Sequence, residues 1–264
     1  MNTTEKATRP VRPIRVERLE DGALWDVELG GGKGNILDAQ LIDALAELFR
    51  DAADTKALRA VCLRGQGRHF SFGASVEEHL PDEVGVMLAR FHGLFSTMLE
   101  SAVVCLAAVR GQCLGGGLEL AAFCHRIFAS PDAKFGQPEI VLGVFAPMGS
   151  ILLSERLGSS GAEDLCLSGR SISARDAYRI GLADVIDENP EKAALAYARE
   201  HLVPRSASSL RFAVRAARLG LSKRLDSELP EMERLYLDEL MASSDAEEGL
   251  RAFLDKRSPD WRNQ

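Results

Sequence analysis

Hydrophobic and polar positions change period several times along the chain, and each change marks an element. Ile14-Arg15-Val16-Glu17-Arg18-Leu19 alternates as a half-buried strand does, and Asp21-Gly22 separates it from a second run, Ala23-Leu24-Trp25-Asp26-Val27-Glu28-Leu29. Two such runs about an Asp-Gly turn predict a β-hairpin. Asp38 then precedes Leu41, Ile42, Leu45, Leu48 and Phe49, the spacing of a helix with a carboxylate N-cap. A strand is predicted over 58–64. A helix is predicted from about 83 to 101, with Val84, Met87, Leu88, Phe91, Leu94, Phe95 and Met98 on its apolar face and His92 as a packing or surface residue. The unbroken apolar run 103–109 predicts a buried strand, and shorter strands are predicted near 125–130 and 181–186. From Pro190 onward only helices are evident, broken at Pro204, Gly220 and Ser243-Ser244. Strands alternating with helices predict a βαβ-type α/β core over 13–189, preceded by a polar lead-in (1–12) and followed by a helical region (190–264).

Composition narrows the class. At 264 residues, 46% hydrophobic and 27% charged, the chain can bury one sizeable core. Its net charge of −7 opposes general affinity for nucleic acid or anionic membrane, so an anionic ligand needs a local basic site. The first ten residues have no apolar core and no later window has membrane-spanning length, which predicts a cytoplasmic protein. Cys62, Cys105, Cys113, Cys124 and Cys166 are odd in number and lack C-x-x-C spacing, as expected of reduced core thiols. The five histidines show no metal-ligand spacing, and no metal is expected.

Candidate chemistry centres on Leu114-Gly115-Gly116-Gly117-Leu118-Glu119-Leu120. Glycines at a strand-to-helix turn let a ligand approach the backbone and leave the first helical N–H groups without intrahelical partners. Glu119 follows Gly116 by three residues and would share its face; the plainer reading is a tight turn whose glutamate favours a helix N-terminus. In Phe70-Ser71-Phe72-Gly73-Ala74, small residues beside aromatics could bring a second N–H to a ligand, or form an ordinary surface loop. Glu139 is the only carboxylate in Lys134-Phe135-Gly136-Gln137-Pro138-Glu139-Ile140-Val141-Leu142-Gly143, a segment that otherwise reads as buried. A desolvated carboxyl has a raised pKa and suits a general acid; alternatively, it reaches solvent or pairs with an arginine. The glycine-rich loop around Lys33 fits no nucleotide motif, though Lys33 could meet an anion. Arg211, Arg215 and Arg218 predict a solvated or subunit-contacting helix face.

Together these stretches, with Leu167-Ser168-Gly169-Arg170-Ser171-Ile172-Ser173-Ala174 and Gly249-Leu250-Arg251-Ala252-Phe253-Leu254-Asp255-Lys256-Arg257, resemble the crotonase (enoyl-CoA hydratase/isomerase) superfamily. The resemblance implies an α/β fold with a (ββα)n spiral core over 13–189 and a C-terminal all-helical trimerisation region over 190–264. It also implies a homotrimer or dimer of trimers, and a CoA thioester substrate with no separate cofactor. By resemblance, the backbone N–H groups of Ala74 and Gly116 form an oxyanion hole, and Glu119 and Glu139 are the base and acid of a hydratase. Lys33, Phe72, Ala74, Gly115, Gly116, Phe253 and Lys256 are the implied substrate or CoA contacts. Gly73-Ala74-Ser75 and Ala146-Pro147-Met148-Gly149-Ser150 depart from the family's usual Gly-Ala-Asp and Pro-Gly-Ala-Gly-Gly. They would alter the acyl pocket, and with 70–81, 143–147 and 239–243 they resemble members that hydrate a cyclic conjugated dienoyl thioester. A general enoyl-CoA hydratase, an isomerase or hydrolase of this fold, and a non-catalytic binding protein are the alternatives.

Overall fold

In the computed structural model, which describes residues 13–30, 32 and 34–264, the first hairpin forms as predicted. Its strands are β1 (Ile14–Leu19) and β2 (Leu24–Leu29), paired antiparallel. β1 lies at the edge of its sheet, so Val16 is exposed, whereas Leu24, Trp25, Val27 and Leu29 are buried. The lead-in 1–12 and Lys33 lie outside the described residues.

α1 (Ala39–Asp54) starts where an Asp38 carboxylate oxygen accepts the Leu41 N–H at 2.9 Å. β3 (Ala60–Gly65) leads through a long loop to α2 (Val84–Ser101), which ends at the left-handed Ala102 before β4 (Val104–Val109). Every residue of β4 is buried, which is why its sequence shows no alternation. Then come β5 (Gln112–Leu114), α3 (Gly116–Phe123), β6 (Arg126–Ala129) and β7 (Lys134–Gly136). A 3-10 turn, Pro138–Leu142, precedes α4 (Pro147–Ser168), β8 (Ser171–Ser173), α5 (Ala174–Arg179) and β9 (Val185–Ile186).

β1-β2-β3-β4-β6-β9 form one sheet, parallel apart from β1, and β5-β7-β8 form a second. Successive strands are dealt out alternately: β4 and β6 enter the large sheet, β5 and β7 the small one. The chain therefore winds as a spiral.

The C-terminal helices are α6 (Pro190–Tyr197), α7 (Ala207–Ala217), α8 (Leu219–Arg234) and α9 (Ser244–Leu254). The break predicted at Gly220 falls at Arg218, with Gly220 inside α8. Leu221, Leu225, Tyr236, Ala246 and Leu250 join the same hydrophobic core as β2–β7. The arginines of this region are not a simple solvated face. Arg211 donates to the carbonyls of Ala52, Thr55 and Ser101, and Arg218 to that of Phe123. These are carbonyls at the C-terminal ends of α1, α2 and α3, where partial negative charge collects, so two guanidinium groups tie the helical region to the core. All five cysteines are unpaired. No helix among the described residues is long and apolar enough to cross a membrane.

Candidate active site

The site is built where β5 turns into α3. Gly115 takes φ +50°, ψ −127°, which redirects the chain, and its N–H donates to the Gly136 carbonyl on β7 at 2.9 Å. The loop after β3 lies alongside: Leu114 N–H donates to the Ser71 carbonyl at 3.0 Å, and a Cβ on Gly73 (φ +102°) would stand 2.9 Å from the Leu114 carbonyl oxygen. This close approach needs glycine at both turns. It sets the Ala74 nitrogen 3.2 Å from where a Cβ on Gly116 would lie. Neither the Ala74 N–H nor the Gly116 N–H donates to a backbone or side-chain acceptor among the described residues. Two free donors face one space, the arrangement an enolate oxygen requires.

Buried polar contacts hold this loop. Asn35, in the left-handed region and almost fully buried, donates from Nδ2 to the carbonyls of Gln66, His69 and Phe70. Ser71 Oγ donates to the Asn35 carbonyl at 2.8 Å and accepts the Gly73 N–H at 3.0 Å.

Glu119 lies in the first turn of α3 and is 4% exposed. One of its oxygens accepts the Gly149 N–H at the start of α4. Glu139 comes from the 3-10 turn after β7, and its Oε2 has no partner. Pairing of Leu114 with Gly136 brings that turn over the glycines, so a Cβ on Gly115 would lie 2.4 Å from Glu139 Oε1. Ile140 and Val141, read from sequence as part of a buried segment, are exposed at 39% and 58%. Val141 lines a cavity, as does the Glu139 carboxyl beside it.

Burial pushes the Glu119 carboxyl well above the usual carboxylate range; the charge of Glu139 adds to this and the Gly149 N–H opposes it. Burial likewise pushes Glu139 up to about 7. Two carboxyls that repel in a dry site share a proton at neutral pH. The Gly149 N–H at the start of α4 favours the charged form of Glu119.

A cavity of about 670 Å³ opens beside these groups, lined by Phe72, Ala74, Gly115, Glu139, Leu142 and Phe253, among others. Ala74, His79 and Glu139 also line a smaller chamber behind it, together with Gly116 and Glu119. The fold thus brings together Glu119, Glu139, Ala74, Gly115, Gly116, Phe72 and Phe253. Lys256 is exposed just past α9 and lines neither cavity. Sequence reasoning did not single out the Gly149 N–H, because its role depends on where α4 begins relative to α3. It also passed over His79, whose Nδ1 lies 2.6 Å from the Ser75 carbonyl at the junction of the two spaces.

Gly115→Ala is expected to be costly. The left-handed backbone adds about 1–2 kcal/mol of strain, and the new methyl would displace Glu139. Turnover should fall at least about tenfold with the melting temperature lowered, as steady-state kinetics and thermal unfolding would record.

A spiral of two sheets with two free N–H donors and two glutamates about one cavity is an architecture of the crotonase kind. The sequence profile of the enoyl-CoA hydratase/isomerase family matches residues 24–264, and the chain belongs to that family. It is 55% identical over 252 residues to cyclohexa-1,5-dienecarbonyl-CoA hydratase of Thauera aromatica, covering 96% of this chain and 98% of that one. It is also 34% identical over 255 residues to 2,3-dehydroadipyl-CoA hydratase of Escherichia coli, covering 94% and 98% of the two chains. The crystal structure of an enoyl-CoA hydratase from Mycobacterium avium superposes with a TM-score of 0.82 at 26% identity, covering 94% of this chain and 98% of that one.

Proposed function

We propose that the protein hydrates cyclohexa-1,5-diene-1-carbonyl-CoA to 6-hydroxycyclohex-1-ene-1-carbonyl-CoA, a step of anaerobic benzoyl-CoA degradation. The observation that carries this reading is the 55% identity, across nearly the whole of both chains, to a relative of that name. The site geometry supports it.

In this reading, the thioester oxygen accepts the N–H groups of Ala74 and Gly116. Glu119 removes a proton from water, whose oxygen attacks the ring carbon β to the carbonyl. Electrons move into the thioester oxygen, and the resulting enolate extends through the second double bond. Glu139 delivers its proton to the far end of that system, and collapse of the enolate leaves one ring double bond conjugated with the thioester. One water is consumed, and no electrons are gained or lost. The two carboxyls end with protonation states exchanged and return to their starting states by proton transfer between them.

The acyl group would occupy the inner part of the large cavity and the CoA arm its mouth, with Phe72 and Phe253 as walls. No lysine or arginine is among the described residues lining that cavity, so Lys33 and Lys256 are the candidates for CoA phosphate contact, Lys256 through a neighbouring subunit. The helical region 190–264 would serve self-association into trimers or paired trimers, with the protein in the cytoplasm.

Turnover on cyclohexa-1,5-diene-1-carbonyl-CoA beside crotonyl-CoA, with chromatographic identification of products, tests the reading. The hydroxylated ring thioester should form faster than hydrated crotonyl-CoA. Release of free thiol, or preference for crotonyl-CoA, would replace it with a hydrolase or a general enoyl-CoA hydratase.

A further inference from the structure

The small chamber behind the glutamates has two walls that the mechanism leaves without a task. His92 on α2 and Tyr236, two residues past the end of α8, both line it, as do Ala74 and Gly116. His92 is 4% exposed and Tyr236 1%. His92 was expected to be a packing or surface residue; in the fold its Nδ1 lies 2.5 Å from a Glu233 carboxylate oxygen, and its Nε2 has no partner. A carboxylate only accepts, so Nδ1 carries the hydrogen, and in the neutral ring Nε2 presents a lone pair. The Tyr236 hydroxyl is also without a partner. Its ring is fixed edge-on against Phe145 at 5.2 Å. Burial, with the charges of Glu139 and Glu119, holds its pKa above that of a free phenol, so the hydroxyl keeps its hydrogen.

An orphaned acceptor and an orphaned donor lining one buried chamber are costly unless something bridges them. The chamber volume is about 20 Å³, room for one water molecule and too little for a ring. Water has two hydrogens and two lone pairs. A hydrogen to the Glu119 carboxylate, a hydrogen to His92 Nε2 and a lone pair receiving the Tyr236 hydroxyl leave one lone pair free, available to a carbon in the adjoining cavity. Glu233, on the far side of His92, fixes the ring that aims the acceptor.

We propose that His92 and Tyr236 hold the reacting water, as positioning residues for hydration supplied by the C-terminal helical region and by α2. This rests on the hydratase reading, and the test separates the two. Tyr236→Phe removes the hydroxyl and keeps the ring. His92→Asn keeps a donor for Glu233 and removes the acceptor facing the chamber, whereas His92→Gln restores an acceptor near Nε2. Parent turnover on the cyclic dienoyl thioester establishes the reaction first; without it, the hydratase reading fails independently. Given that turnover, Tyr236→Phe and His92→Asn should each lower kcat at least about tenfold, the loss expected of one orienting hydrogen bond. KM and melting temperature should stay near parent values, and His92→Gln should recover part of the rate. A crystal structure of the unliganded parent should show a water within hydrogen-bond distance of His92 Nε2 and Tyr236 Oη, which is lost in Tyr236→Phe. A dry chamber in the parent, or kcat within twofold of parent in both Tyr236→Phe and His92→Asn, would overturn the proposal. So would a loss of rate that follows the loss of melting temperature.

Discussion

Replacing either glutamate by its amide is expected to lower kcat by about 10²–10⁴-fold, the range for removal of a positioned acid or base, while CoA thioesters still bind. Glu119→Gln keeps an oxygen for the Gly149 N–H but cannot take a proton from water. Glu139→Gln keeps the shape of the cavity wall but has no acidic proton to give. The two variants should differ in stability. A carboxyl whose pKa is higher in the folded than in the unfolded protein loses stability as pH rises between those values. Burial holds Glu139 up to about 7, so its ionisation opposes folding from the ordinary carboxylate range up to neutrality. Glu139→Gln should therefore be more stable than the parent near pH 8, by about 1–2 kcal/mol after allowance for its partial exposure. It should match the parent near pH 4, where both side chains are neutral. Parent turnover should itself decline as pH rises past about 7 and the shared proton is lost. Chemical denaturation at the two pH values, beside turnover of each variant, checks both; near-parent turnover in either amide variant would remove that glutamate from the mechanism.

The second large effect is expected from Gly116→Pro. A side-chain exchange cannot delete a backbone donor, but proline has no N–H, and Gly116 occupies the first position of α3, where proline fits a helix well. The new ring atoms would press on Phe91 Cζ at 3.1 Å and the Ala74 nitrogen at 3.2 Å. Phe91→Leu makes room on the first side and serves as the background control. Loss of one oxyanion donor costs about 3 kcal/mol, a hundredfold or more in rate. Turnover should fall by that amount in the double variant relative to Phe91→Leu alone, with thioester binding measured by calorimetry largely kept. Equal turnover in the two would show that the Gly116 N–H does not stabilise the transition state.

Much of this site is local, and local chemistry is legible along a chain. The glycines of 115–117 read as a turn because an unbroken apolar run, 103–109, precedes them and the residues after them suit a helix, although the strand that runs into them is the short β5. Glu119 follows within one helical turn, so its face is set by helical geometry alone. The Asp38 cap and the hairpin at Asp21-Gly22 likewise depend on residues a few positions apart. Ile140 and Val141 misled for the same reason: an apolar run looks buried, although in the fold both are exposed and Val141 lines a cavity. Arg211, Arg215 and Arg218 show a helical spacing, yet no spacing could reveal that two of them cap the ends of α1, α2 and α3.

The sequence by itself determined the strands of the large sheet, the helices, the glycine turn at 115–117 and the two carboxyls isolated among apolar residues; the small sheet β5-β7-β8 it did not show, and it left the 70–74 loop open. Only the tertiary structure decided that these meet. Pairing of β5 with β7 carries Glu139 across to Gly115, and α4 begins where its Gly149 N–H reaches Glu119. Its influence on protonation is also non-local: the carboxyl pKa values rise because segments distant in sequence exclude water from both groups at once. The same holds for His92 and Glu233, 141 residues apart, whose contact joins α2 to the C-terminal end of α8. Periodicity reports which face of an element is apolar, but which faces close on one another is set by packing of the whole chain.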